Sequence, residues 1–270
     1  EDGKVKPREI CEEVEDLKAI GHPNIVRYLD FFEDEESHHI VMEYVEGGDL
    51  KKILDYEGVL AEHKVVQILR QLLSALEYLH ENGIVHKDIK PENILFDADG
   101  NVKLADFGFL KIMQSDGEKH FKICSNQNSA PEVFLEMVFD ATCDIWSIGI
   151  VLFQMCVGCY PFDNVREWFQ GEFKPIPMTV SKVIREMICR MLIVYRAERP
   201  TAKELLEILN RNFLKRTGNY ECRFNGDDLE IKEDDQTDLF KLKTVIDAEN
   251  SVYENISTQK QVRMRIVSSS

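Results

Sequence analysis

An α+β fold, with strands gathered near the N-terminus and helices after them, is predicted by three features of the sequence. Two short strand-like runs, residues 25–32 and 39–44, flank an acidic, turn-like stretch at 33–37. Residues 62–81 place Val66, Leu69, Leu72, Leu73, Leu76 and Leu79 on one stripe, the spacing of an amphipathic helix. From Asp144 onward the pattern is helical, over 144–158, 181–194 and 201–212.

Taken in order, the elements begin with a helix over 8–20, where Ile10, Val14, Leu17 and Ile20 recur at helical spacing and Gly21-His-Pro23 ends it. After the two strands, Gly47-Gly48 breaks the chain and Asp49 stands where it can cap a helix starting near Leu50. The long helix follows, then the stretch VHKDIKPENILF. Asp97-Ala-Asp-Gly100 turns this stretch back as a hairpin into NVKLADFG, with apolar residues on both flanks. The longest apolar run, 145–160, is interrupted by Ser147 and Gln154 and is short for a membrane span, so it reads as a buried helix. Beyond 213 the composition changes to acidic runs with weak apolar pairs, and 214–270 reads as a mostly disordered tail with one short helix.

Composition narrows the function. At 270 residues, 44% hydrophobic and 30% charged, the chain can bury a sizeable core. A formal net charge of −16 argues against non-specific binding to nucleic acid or to an anionic membrane, both of which need basic surface. Seven cysteines, an odd number, suit reduced thiols in the cytoplasm or nucleus rather than a disulfide framework. The lone Cys156-Val-Gly-Cys159 pair reads as small apolar residues near a helix end, not as a metal or redox site. The chain opens on charged residues without a signal-peptide pattern, and on Glu1 in place of Met, so a fragment or processed product is expected.

Chemistry concentrates in and just after VHKDIKPEN. Asp88 offers a loop carboxylate that can accept the proton of a hydroxyl during phosphoryl transfer. Lys90 offers a point charge for the phosphate in transit. Asn93 supplies an amide oxygen and Asp106 a carboxylate, both hard ligands suited to Mg²⁺. Asp106 lies thirteen positions beyond Asn93, and Gly108 frees the backbone for a sharp turn. Each residue alone has a plain structural alternative, but D-x-K-x-x-N followed by DFG across a hairpin is specific.

This set of motifs resembles a eukaryotic protein kinase domain over about residues 8–213, with HKD where the family usually has HRD. Ala130-Pro-Glu132, Asp144-Ile-Trp-Ser-Ile-Gly149 and Arg199-Pro-Thr201 follow in kinase-like order. The resemblance implies a kinase-like α+β fold: a remnant N-lobe over 1–46 (helix C and two strands), a complete helical C-lobe over 47–213, and the acidic tail over 214–270. It implies ATP and Mg²⁺ as cofactors, a protein substrate with a Ser or Thr hydroxyl, and regulatory protein partners. Met42 falls at the gatekeeper, Glu43-Tyr-Val45 at the adenine-binding hinge, Asp49 opposite the ribose and Leu95 under the base. Glu13 matches the helix C glutamate, and Glu132 is expected to pair with Arg199. Lys-Pro-Glu-Asn is the serine/threonine wording, and NIVRYLDFFEDEE with IVMEYVEGGDL is similar to the NIMA-related kinases.

The sequence also departs from that pattern. Only twelve residues precede Glu13, a span of about 40 Å at full extension, too few for a glycine-rich loop and its strand lysine. Lys87 replaces an arginine and loses its bidentate fork. CSNQNSAPE stands where kinases show something like GTPYYMAPE, Phe121 falls near the usual phosphoacceptor, and the segment after Pro161 is short for helix G. Two expectations follow. One is a serine/threonine kinase of which these 270 residues are an N-terminally incomplete fragment, poorly active alone. The other is a catalytically impaired pseudokinase serving as a scaffold.

Overall fold

The computed structural model describes residues 18–33, 38–106 and 127–213, together with the backbone of three later strands, and it divides into two units, 1–211 and 212–270. The helix expected over 8–20, with Glu13, and the segment 107–126 lie outside the described residues, apart from the last residues of the former.

In the first unit, β1 (Tyr28–Glu33) and β2 (His38–Met42) form an antiparallel ribbon, with a register irregularity between Tyr28 and Asp30. Both strands are shorter than the apolar runs that predicted them. The front of the first run pairs elsewhere: Val26 N donates to Leu104 O at 3.0 Å and Leu104 N to Asn24 O at 2.8 Å. Ile25 and Val26, both buried, therefore anchor the ribbon to the hairpin further on instead of extending it.

Helix α1 (Leu50–Glu57) starts where Asp49 caps it, its carboxylate accepting Lys52 N at 2.9 Å. Helix α2 (Glu62–Glu81) has the bounds the periodicity predicts, and its whole leucine stripe is buried. A 3₁₀ turn at Pro91–Asn93 leads into β3 (Ile94–Phe96), which pairs antiparallel with β4 (Val102–Leu104) in the register Ile94↔Leu104. The turn between them is held by Asp97, which accepts the backbone N–H of Asp99 and of Asn101 at 3.0 and 2.8 Å.

Gly47 shows why this hairpin sits so close to the chain that precedes α1. Gly47 N donates to Phe96 O at 2.7 Å and Phe96 N to Gly48 O at 2.9 Å. A Cβ at position 47 would fall 2.4 Å from Phe96 O, so only glycine allows the approach.

The helices that follow are α3 (Pro131–Glu136), α4 (Ala141–Val157), α5 (Val165–Gln170), α6 (Lys182–Met191) and α7 (Ala202–Phe213). Helix α4 begins three residues before the predicted Asp144, because Asp140 and not Asp144 is the cap: Asp140 accepts Thr142 N at 2.9 Å. Nearly every residue of α4 from 143 to 156 is buried, as a helix apolar on all sides must be. Gly158, in the left-handed conformation at φ 77°, ends it. Thr201 and Glu204 close α7's first turn reciprocally, Thr201 N donating to Glu204 at 2.8 Å and Glu204 N to Thr201 Oγ1 at 3.2 Å. No described helix is long and apolar enough to cross a membrane.

The ion pair expected between Glu132 and Arg199 is present and bidentate, at 2.5 and 2.8 Å. It joins the start of α3 to the loop before α7.

The second unit covers the region expected as a mostly disordered tail with one short helix, most of which lies outside the described residues. Its described residues form three strands, β5 (Glu221–Asn225), β6 (Asp228–Lys232) and β7 (Arg263–Val267), with β6 central, antiparallel to β5 and parallel to β7. The reason is an alternation masked by the acidic composition. Cys222, Ile231 and Ile266 share one register row, and Phe224, Leu229 and Met264 share another two residues along, a strand period of two.

Candidate active site

The loop carrying Asp88 is built on a buried acid. Asp144, fully buried on α4, accepts His86 N and Lys87 N, each at 2.8 Å, and its Oδ2 lies 2.8 Å from His80 Nε2. These bonds hold Lys87 in the left-handed region at φ 72°, a conformation unusual for a residue with a side chain. The Lys87 ammonium lies over the Phe139 ring, 5.2 Å from its centroid.

His86 joins the loop to the hairpin. Its Nε2 donates to Ala105 O at 2.9 Å, and Asp88 N donates to its Nδ1 at 3.3 Å, one consistent neutral tautomer. Burial holds the ring below its ordinary pKa, against the opposing pull of Asp144 and Asp88, and so favours that neutral form.

The expected chemical residues meet around Asp88. Its Oδ2 accepts Lys90 Nζ at 2.6 Å and Asn93 Nδ2 at 3.0 Å, and the same Asn93 amide donates to Asp88 O at 2.9 Å. With its nitrogen committed, buried Asn93 offers its amide oxygen to a cation. Ala105 N donates to Asn93 O at 2.9 Å, which places Asp106, one residue on, beside the loop. Asp106 has φ 61°, also left-handed. It acts on buried Tyr28 of β1, whose phenol is pushed well up by burial and then by this carboxylate.

The donor set fits Mg²⁺ in one particular way. Among the described residues no group of three or more His, Cys, Asp and Glu side chains is disposed to hold a metal ion. One amide oxygen and one carboxylate, from Asn93 and Asp106, suit an ion that keeps water and takes phosphate oxygens for the rest of its shell. Cys156, whose thiol burial pushes to about 12, takes no part.

The hinge expected at 43–45 follows β2 directly, with Met42 opposite Tyr28 in the ribbon. Glu43 N donates to Arg27 O at 2.9 Å, and its carboxylate accepts Arg27 N and Arg27 Nε, both at 3.1 Å, and Lys103 Nζ at 2.9 Å. Val45 is half-buried, while Tyr44 is exposed. Lys103 faces Leu95 across the hairpin, and Leu95 bridges Asp49, so Glu43, Lys103, Leu95 and Asp49 form one connected surface. The Asp49 carboxylate on it is occupied as a cap and as an ion pair with Lys52 Nζ at 2.9 Å. Sequence reasoning found the residues of the motif but missed Asp144 as its support and Lys103 as the hinge's anchor.

The Glu43–Lys103 bond yields a prediction about pH. Burial works to raise the Glu43 carboxyl, but the hydrogen bonds from Lys103 and Arg27 outweigh it and hold the group below the usual carboxylate range. Such a group contributes stability above its ordinary pKa and loses it as pH falls through the depressed one. Lys103→Met is expected to cost about 1–2 kcal/mol near neutral pH. In urea unfolding that cost should shrink as the pH is lowered through the acidic range; a cost independent of pH would show that the charge does not matter.

A family profile described as a protein kinase domain matches residues 1–209. Among curated proteins, the chain is 38% identical over 202 residues to sperm motility kinase Z of Mus musculus, covering 72% of the chain and 40% of that protein. It is 37% identical over 193 residues to CBL-interacting protein kinase 1 of Oryza sativa subsp. japonica, covering 68% and 42%. It is 38% identical over 212 residues to mitogen-activated protein kinase kinase kinase 3 of Arabidopsis thaliana, covering 74% and 32%. The chain thus spans less than half the length of each of these relatives.

Proposed function

This chain belongs to the protein kinase family, and we propose that it is part of a serine/threonine protein kinase, transferring the γ-phosphoryl group of ATP to a protein hydroxyl. The observation that carries this reading is the cluster in which Asp88 holds Lys90 and Asn93 within hydrogen-bond reach, backed by Asp106 on the adjoining hairpin.

Bound by Asn93 and Asp106, Mg²⁺ would supply charge neutralisation at the phosphates. Asp88 orients the substrate hydroxyl and takes its proton as the new O–P bond forms and the bond between the β- and γ-phosphates breaks. Lys90, held beside Asp88, brings positive charge to the phosphoryl group in transit. The backbone of Glu43 and Val45 receives adenine over Leu95, with Met42 behind it and Asp49 toward the ribose. Within the family, NIVRYLDFFEDEE and IVMEYVEGGDL support a NIMA-related subtype. Reduced cysteines support a cytoplasmic or nuclear site of action.

A second reading, a catalytically impaired scaffold, is favoured by the Gln127-Asn128-Ser129 departure and by Lys87 resting on Phe139. The test is radiolabelled phosphate transfer from Mg-ATP to casein by the product of the whole reading frame around this chain, beside Asp88→Asn. Incorporation on Ser or Thr that falls about 10²–10⁴-fold in the variant is expected. Absent or Asp88-independent incorporation would favour the scaffold.

A further inference from the structure

Residues 127–130 lead into α3, and three successive carbonyls there are each held by a side chain from another element. Tyr160 donates its phenol to Gln127 O, Ser147 Oγ of α4 donates to Asn128 O at 2.8 Å, and Trp168 Nε1 of α5 donates to Ser129 O at 3.1 Å. Burial keeps the Tyr160 phenol above its ordinary pKa, so it stays a donor. Asn128 and Ser129 are themselves buried. The segment is thus fixed by uncharged donors on α4, on α5 and in the loop between them.

The Asn128 side chain then continues the connection. Its Nδ2 donates to Ile89 O at 3.3 Å, and Ile89, fully buried, is the residue between Asp88 and Lys90. A carboxamide on a single methylene reaches that carbonyl, whereas a phenol on the same Cβ would carry its donor well beyond it. We infer that Asn128 is a positioning residue for the catalytic loop, tying the segment 127–130 to the peptide unit between Asp88 and Lys90. It acts through Ile89. The functional meaning rests on the kinase reading, but the tether itself is measurable without any transfer.

The test is hydrogen exchange on the full chain, followed by mass spectrometry of peptides covering 84–96, α2 and α4. Three variants are compared with the parent. Asn128→Asp keeps the volume and replaces the donor by an acceptor, Asn128→Ala removes both, and Ser147→Ala loosens the segment from α4. For the two Asn128 variants, exchange in 84–96 should rise about fivefold, the loss of one net hydrogen bond, with α2 and α4 unchanged. Ser147→Ala should move 84–96 in the same direction. A rise in all peptides that tracks a lowered melting temperature, or no change in 84–96, would overturn the inference. Where Asp88-dependent transfer is found, Asn128→Asp should lower kcat and leave the KM for ATP in place. Faster exchange in 84–96, together with no transfer by the product of the whole reading frame, would uphold the tether and sink the kinase reading.

Discussion

Arg199→Ala should destabilise the helical unit by about 3–5 kcal/mol, read as a lowered midpoint in urea unfolding. The Arg199 side chain is 0% exposed and that of Glu132 5%. Besides the two bonds to Glu132, Arg199 donates to the carbonyls of Ile193 at 2.7 Å, Thr142 at 2.9 Å and Val194 at 3.1 Å, and lies 4.9 Å from the centre of the Trp146 ring. Alanine would strand a buried carboxylate without a countercharge and leave three carbonyls short of a donor. The cost arises from that stranding, since an intact buried pair contributes little net stability. Arg199→Lys keeps the charge and loses the fork, so an intermediate loss is expected. A loss below about 1 kcal/mol for alanine would mean that water replaces the guanidinium.

Asp144→Asn is the second large effect, about 3–5 kcal/mol, although it changes one atom. The carboxylate accepts two backbone N–H groups and faces His80, and an amide turned either way would point its own N–H groups at one of these partners. Lys87 would then keep its positive φ without the bond that holds it there, a strain of roughly 1–3 kcal/mol. Lys87→Gly in the Asp144→Asn background should therefore recover part of the loss, because glycine adopts that φ freely. The pair is measured by thermal unfolding of the single and double variants. Strict additivity would show that Asp144 does not hold Lys87 at its positive φ.

The sequence made some features legible because their causes are local. The leucine stripe of α2, the Asp49 cap and the Asp97-Ala-Asp-Gly100 turn each declare themselves within a few residues, and all three stand where they were expected. Asp140 and Asp144 look alike as caps, and only burial shows that the second is a hydrogen-bond centre inside the helix. Residues 25 and 26 read as strand because they are apolar, yet their partner is 78 or more positions away on β4. For the site, motif spacing found Asp88, Lys90, Asn93 and Asp106. Lys103 and Asn128 escaped because their partners, Glu43 and Ile89, lie 60 and 39 residues distant and no local pattern announces either contact. In the second unit an acidic composition concealed a period of two.

The close approach at Gly47 bears on the surface formed by Glu43, Lys103, Leu95 and Asp49. The chain just beyond residues 43–45 is joined to the strand bearing Leu95 by main-chain hydrogen bonds, with no side chain between them. The separation of residues 47–48 from the strand bearing Leu95 is therefore a property of the backbone, and under the proposed function substitutions at Leu95 would alter which base is accepted without altering that gap. A gauge of this kind keeps its setting while the residues that line it vary.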